Sequence, residues 1–166
     1  QIYQGHECAA HTLTHPNLTS VKDDSAVEWQ VEQDRKTLSS IVGYDVQCMA
    51  YPCGGINCDD RVEKIIRNKP GIRFARTVNS SYSFDVPENL LKYDPTVYYI
   101  ETDKLFELGE KFINLKPDKP QVFYIWGHSY EMDAEYISWE EFEKFCKMIS
   151  GLNDVFYGTN SQVFLK

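Results

Sequence analysis

Two histidines, His11 and His15, are four positions apart in the segment His-Thr-Leu-Thr-His. On one turn of an α-helix this spacing puts both imidazoles on the same face, close enough to share a metal ion. Their place directly after an apolar, strand-like run strengthens the hypothesis of a metal site, and chance spacing is the alternative. A hydrolytic metal site also needs a third ligand, usually a carboxylate, and no Asp stands directly beside the pair.

Two further segments place reactive residue types at the end of a strand-like run. Residues 51–55, Tyr-Pro-Cys-Gly-Gly, predict a sharp turn whose backbone N–H groups could face a developing oxyanion, with an ordinary strand-to-helix turn as the alternative. His128 stands between Gly127 and Ser129, which favours the exposure that a general acid needs. The alternative for His128 is a structural histidine satisfied by neighbouring backbone or by Glu131.

The cysteines offer a third kind of chemistry. Their odd number and the absence of zinc-knuckle spacing predict free thiols, and this usage slightly favours a cytoplasmic location. Cys53 and Cys58 could form a nucleophile or a metal pair, but the sequence identifies no base for either, which favours structural thiols. The five cysteines are Cys8, Cys48, Cys53, Cys58 and Cys146.

Composition limits the class of protein and of partner. The 166 residues are 42% hydrophobic and 25% charged, which is typical of one globular domain. A net charge of -8 repels phosphate backbones, so we expect no nucleic-acid partner, and neutral or cationic ligands fit better. No apolar run approaches the roughly 20 residues that cross a bilayer, so no membrane span is expected. The sequence does not predict an oligomeric state.

The elements that must position these residues alternate between strand and helix. Such alternation predicts right-handed crossovers and a mainly parallel α/β sheet, which binds ligands at the carboxyl ends of its strands. The predicted helices cover residues 24–42, 59–68, 103–114 and 138–150, and the predicted strands cover residues 46–51, 73–78, 97–100, 121–126 and 155–157.

Two of these helices have apolar stripes that predict which face is buried. The stripe of the first helix consists of Val27, Val31, Leu38, Ile41 and Val42. The stripe of the last consists of Trp139, Phe142, Phe145, Cys146 and Ile149.

Four motifs follow one another in a recognisable order: Gly5-His6-Glu7, then residues 11–16, then residues 50–54, then residues 123–131. Together they resemble the polysaccharide deacetylases of the NodB-homology group, carbohydrate esterase family four. The resemblance covers most of the chain. Shorter pieces, Ala-Arg-Thr at 75–77 and Gly-Thr-Asn at 158–160, are similar to one bacterial branch of that family.

The resemblance implies a distorted (β/α) barrel, here a single domain over residues 1–166, with its site at the strand ends. It also implies removal of N- or O-acetyl groups from an acetylated carbohydrate, with a bound divalent metal that is usually zinc. On this basis His11 and His15 bind the metal, the backbone N–H of Cys53 holds the oxyanion, and His128 is the general acid. The candidate substrate-binding side chains are Tyr51, Trp126 and Tyr130.

The sequence also departs from the family. An Asp pair that supplies the base and the third metal ligand has no counterpart here, and Ala50 and Cys53 replace an Arg and a Tyr. We therefore expect the carboxyl-terminal portion of a deacetylase domain, inactive by itself. The alternatives are an inactive deacetylase-fold domain that binds carbohydrate or serves as a scaffold, and a metal hydrolase of another substrate such as a small amide. If residues 1–166 were active by themselves, the candidate bases would be Asp23, Asp24, Glu131 and Asp133.

Overall fold

The computed structural model describes residues 4–69 and 71–165, in which helices and parallel strands alternate. The helices are α1 (Asp24–Val42), α2 (Asp60–Arg67), α3 (Thr102–Ile113), α4 (Tyr130–Asp133), α5 (Trp139–Ile149) and α6 (Asn160–Phe164). The strands are β1 (Cys48–Ala50), β2 (Phe74–Arg76), β3 (Val97–Tyr98) and β4 (Ile125–Trp126). Two 3-10 turns lie at Leu18–Ser20 and Leu90–Lys92.

Contacts within the chain divide it into two compact units. Unit 1 contains Gln1–Val78, Pro87–Tyr93 and Tyr157–Lys166. Unit 2 contains Asn79–Val86 and Asp94–Phe156. That residues 1–166 form a single domain stays a prediction, because two compact units can belong to one domain or to two.

Unit 1 is built on parallel segments. Strands β1 and β2 pair in parallel, Ala10 forms a parallel bridge to Met49 in β1, and Arg76 in β2 forms another to Tyr93. Helix α1 begins where the side chain of Asp23 accepts a hydrogen bond from a backbone N–H, and it ends at Gly43. The φ of 81° at Gly43 is a left-handed value that glycine adopts at little cost. Buried side chains of α1, α2 and the strands form one apolar core.

Unit 2 has its own core. Strands β3 and β4 pair in parallel, and aromatic side chains fill the space beside them. Helices α3 and α5 approach closely at Gly109, where a Cβ atom would lie 2.5 Å from the Met148 methyl carbon and 2.8 Å from the Phe145 ring. The absence of a side chain at Gly109 therefore sets how near these two helices can lie.

The α/β class and most predicted elements are confirmed, and three local predictions are wrong. Residues 155–157 form no strand, because the Val155 N–H turns back to the Leu152 carbonyl. Ile41, at the margin of the α1 stripe, is 73% exposed. Trp139 and Cys146 are also exposed, since at about 100° per residue they lie roughly a quarter turn or more from the buried Phe145. The barrel stays a prediction.

Three simpler expectations can be compared with the structure. All five cysteines are free thiols. Burial raises the pKa of Cys48 to about 12 and that of Cys58 to about 11, as expected for structural thiols. In the described part of the chain no helix is long and apolar enough to cross a membrane.

Gly127, at the end of β4, has a structural role that can be tested. A Cβ atom there would lie 2.0 Å from the Tyr99 ring, which is itself buried. We expect Gly127→Ala to lower the free energy of unfolding by about 1–3 kcal/mol, since the ring must move out of a packed position. Gly54→Ala is the control, because nothing lies within 4 Å of a Cβ there. Equal midpoints of urea unfolding for the two variants would contradict the prediction.

Candidate functional site

The imidazoles of His11 and His15 lie side by side in unit 1. Their ring centroids are 4.8 Å apart and their planes are inclined by 71°. The connecting segment is a loop, in which Thr12 has φ 67° and His15 has φ 59°. The helical turn expected for this segment is therefore wrong, because the φ values of Thr12 and His15 lie outside the right-handed helical region.

One face of α1 holds residues 11–15, called the histidine loop below. Gln30 accepts hydrogen bonds from the Thr14 N–H with its side chain, at 2.9 Å, and from the Leu13 N–H with its carbonyl, at 3.1 Å. Asp34 accepts one from the His11 N–H at 2.7 Å. Gln30 and Asp34 are four residues apart and thus share a helix face. The sequence analysis missed both, and the signal for them is a polar pair at this spacing beside the buried stripe.

The ring of His11 is oriented by the end of β1. Its Nδ1 lies 2.8 Å from the Ala50 carbonyl oxygen. A carbonyl can only accept, so Nδ1 carries the proton and the lone pair is on Nε2. Metal-binding histidines commonly show this arrangement, in which one nitrogen donates to a backbone carbonyl while the other binds the ion. His11 therefore fits a metal ligand.

Cys53 follows β1 and lies against His15. Its Sγ is 3.9 Å from the His15 Nδ1 and donates to the His15 carbonyl oxygen at 3.7 Å. The Asn57 side chain donates to the carbonyls of Tyr51 and Cys53, which fixes a turn where Cys53 has φ 68°. Hydrogen bonds among the described residues include none donated by the Cys53 N–H, a state compatible with an oxyanion donor. The thiol beside His15 was not predicted.

The three candidate substrate-binding residues have different surroundings. Tyr51 is completely buried in unit 1, where its hydroxyl donates to the Leu91 carbonyl at 2.7 Å. Burial raises the pKa of this hydroxyl well above its ordinary value. The prediction is therefore wrong for Tyr51, whose aromatic ring belongs to the core. In unit 2, Trp126 is 8% exposed and stacks on Tyr98, whereas Tyr130 is 62% exposed.

His128, in unit 2, is held by one carboxylate. The Glu131 oxygens accept the His128 backbone N–H at 2.8 Å and bind its ring Nδ1 at 2.7 Å. Glu131 is 2% exposed and also accepts the Tyr98 hydroxyl, while the His128 side chain is 43% exposed. An accessible imidazole oriented by a buried carboxylate on Nδ1 is the arrangement found in histidine acid-base catalysts. The sequence analysis considered this contact only as a structural alternative.

The four candidate bases differ in what surrounds them. Asp23 caps α1, Asp24 forms an ion pair with an arginine of α2 at 2.7 Å, and Glu131 binds His128. Asp133 is exposed on α4. The Asp34 carboxylate accepts a hydrogen bond from the backbone N–H of His11 in the histidine loop. Over residues 4–69 and 71–165, no three His, Cys, Asp or Glu side chains form a metal-binding group.

A polar cleft in unit 1 lies between residues 5–7 and residues 157–162. At its base Glu7 accepts hydrogen bonds from the Ser161 N–H, at 3.0 Å, and from the Ser161 hydroxyl. Burial alone would raise the pKa of Glu7, but the hydrogen bonds outweigh it and hold this pKa below its ordinary value. The carboxylate form is thus the one that ties the two segments together.

This contact predicts an acid-sensitive part of the stability of the protein. Because the pKa of Glu7 is lowered in the folded state, its contribution is present above the unfolded pKa and is lost as pH falls through the folded pKa. We expect Glu7→Gln to lower the free energy of unfolding by about 1 kcal/mol at pH 7 and to weaken its fall towards pH 3. Urea unfolding at both pH values measures this, and an unchanged pH dependence would contradict it.

Comparison with known proteins finds one family that is similar to part of the chain. The model of the polysaccharide deacetylase family matches residues 1–71. No match was found among curated proteins or among solved structures. The matched segment contains the histidine loop, α1, β1 and the Cys53 turn.

Proposed function

Residues 1–71 match the polysaccharide deacetylase family, and on that premise we propose that the protein removes acetyl groups from a carbohydrate with a divalent metal ion held by His11 and His15. The observation that carries the proposal is the adjacent pair of imidazoles, 4.8 Å apart. The bond from the His11 Nδ1 to the Ala50 carbonyl supports it further, because metal-binding histidines commonly donate one ring N–H to a backbone carbonyl.

In this proposal, residues of unit 1 bind the metal ion and orient the groups that contact the acetyl group. When bound, a divalent ion, usually zinc in this family, supplies a positive charge that polarises the acetyl carbonyl. Asp34 and Ala50 fix the backbone and the ring of His11. The Cys53 N–H donates a hydrogen bond to the oxygen on which negative charge develops, which is the largest single contribution in many acyl-transfer enzymes.

In unit 2, His128 is the general acid of the proposal. Its protonated ring gives a proton to the leaving amine or alcohol as the bond to the acetyl carbon breaks. Glu131 is a positioning residue, because its carboxylate holds the Nδ1 side of the ring and balances the positive charge of the imidazolium. This assigns the opposite ring nitrogen, Nε2, to proton transfer.

Acetate release tests the proposal directly. The full-length natural protein is assayed on N-acetylglucosamine oligomers and on O-acetylated xylan, with zinc added and with zinc removed by a chelator. We expect zinc-dependent release from one of the two substrates, strongly reduced in a His11→Ala, His15→Ala double variant. His6→Ala is the control, since His6 is an exposed histidine of unit 1 with no part in the proposed site.

The outcomes distinguish the alternatives stated for the sequence. No release from either substrate, together with binding of the oligosaccharide, would favour a deacetylase-fold domain that binds carbohydrate without catalysis. Zinc-dependent hydrolysis of small amides without release from the carbohydrates would favour a hydrolase of another substrate.

A further inference from the structure

The net charge of the protein is concentrated in unit 2. By residue count, unit 2 contains 14 Asp and Glu against six Lys and Arg, whereas unit 1 contains 11 of each. Unit 2 therefore accounts for the whole formal charge of -8. Such an uneven distribution selects ligands of opposite sign for the acidic part.

The most acidic stretch of unit 2 begins at His128. Residues 128–143 contain six acidic residues and no Lys or Arg. Glu131 is buried against His128, and the other five side chains reach solvent. These exposed residues are Asp133, Glu135, Glu140, Glu141 and Glu143.

The same stretch exposes three large aromatic side chains. Tyr130 is 62% exposed, Tyr136 63% and Trp139 55%. Tyr130 also stacks on the imidazole of His128, with ring centroids 5.2 Å apart and planes inclined by 28°. A single exposed aromatic is ordinary on a protein surface, but three within ten residues, one of them against His128, indicate a binding surface. Glu141 caps α5 through Ser138 and Glu143 pairs with Lys147 at 2.8 Å. The three rings and the remaining exposed carboxylates, those of Asp133, Glu135 and Glu140, are called the aromatic-acidic surface below.

Both kinds of side chain on this surface attract an ammonium group. The face of a Tyr or Trp ring attracts a cation through its quadrupole, and a carboxylate attracts it through its charge. Glycans that carry carboxylate, sulfate or phosphate groups are repelled by the same charges. The chemistry therefore favours a carbohydrate with free, protonated amino groups.

We propose that the aromatic-acidic surface binds the protonated amino groups of an amino-sugar chain. This inference rests on the proposed function, whose product it recognises. Hydrolysis of an N-acetyl group adds water across the amide bond, releases acetate and leaves an amine that takes up a proton. A chain with some free amino groups is thus retained by the protein while its remaining acetyl groups are removed.

Binding of three matched oligosaccharides tests the proposal without turnover. The full chain is titrated calorimetrically at pH 6, low salt and with a chelator, using pentamers of glucosamine, N-acetylglucosamine and galacturonic acid. We expect the glucosamine pentamer to bind about 4- to 25-fold more tightly than the N-acetylated one, because each of two rings contributes about 2- to 5-fold. This ratio falls in high salt, which screens exposed charges, and the galacturonic acid pentamer binds most weakly.

Substitutions test whether the preference for the glucosamine pentamer arises from the aromatic-acidic surface. Trp139→Ala reduces the ratio by about 2- to 5-fold, and the Tyr130→Ala, Trp139→Ala double variant reduces it further. Trp29→Ala is the matched control, since Trp29 on α1 of unit 1 is 52% exposed, and it leaves the ratio unchanged. With the rings intact, Glu135→Gln together with Glu140→Gln tests the contribution of charge and also lowers the ratio.

Two results would overturn the proposal. The first is equal affinity of the protein for the glucosamine and N-acetylglucosamine pentamers, and the second is a Trp29→Ala effect as large as that of Trp139→Ala. Failure of the proposed function gives a different result, because acetate release is then absent while the preference for free amino groups persists. Acetate release with equal affinities contradicts this inference alone.

Discussion

Replacement of His128 by alanine is expected to lower kcat by about 10²- to 10⁴-fold with little change in KM. A proton donor to the leaving group acts only in the transition state, so its loss affects turnover more than substrate binding. Steady-state acetate release by the full-length natural protein, with zinc present, measures both constants on the substrate that it accepts.

Two further variants separate a catalytic from a structural role for His128. Ser129→Ala changes an exposed neighbour and should keep kcat within about twofold of wild type, as surface substitutions usually do. Glu131→Gln keeps the size of the side chain but removes the charge held 2.7 Å from the His128 Nδ1. It should lower kcat and move the pH-rate profile, which loss of folding alone would not do. Wild-type kcat in His128→Ala would make this histidine structural.

The His11→Ala, His15→Ala double variant is expected to lose its divalent metal. Wild-type protein dialysed against zinc should retain about one ion per chain with modest affinity, because only two ligands are identified among the described residues and further positions need water or an added anion. Metal content measured by mass spectrometry after removal of free zinc should fall to background in the variant.

The control for this prediction is His6→Ala, which removes an exposed histidine of the same unit and should retain the zinc. Cys53→Ser tests whether the thiol contributes to zinc binding, because the sulfur of Cys53 lies 3.9 Å from the His15 Nδ1. Equal zinc content in wild type and in the double variant would show that the pair binds no metal.

The sequence predicts well the parts of the structure that depend on periodicity and capping. Helix α1 covers the predicted range 24–42, with Asp23 as its cap and Gly43 at its end, because a cap and a left-handed glycine act locally. The apolar runs at β1 and β2 also form strands, and they pair in parallel. The elements themselves depend on residues close together in the chain, which is why a single sequence reveals them.

The site is less predictable because it depends on backbone conformations that spacing does not encode. His11 and His15 suit a helical turn by spacing, yet Thr12 and His15 adopt left-handed values that α1 supports from outside the motif. Cys53 reaches His15 across 38 positions. The Glu131 contact is only three residues long, but the sequence cannot show that its carboxylate is buried under Tyr98.

Unit 1 is built from segments that are far apart in the chain. It cannot be completed until the last of them has been translated. Phe74 of β2 stacks on Phe164 of α6 at 4.4 Å, and Glu7 binds Ser161 across 154 positions. Strands β1 and β2 can pair soon after they leave the ribosome, but α6 follows the insertion of unit 2. At about 5–20 residues per second, the roughly 80 intervening residues take about 4–16 s to translate. Throughout that interval the Phe74 ring lacks the Phe164 ring that stacks on it in the folded protein, which leaves apolar surface of the nascent sheet exposed.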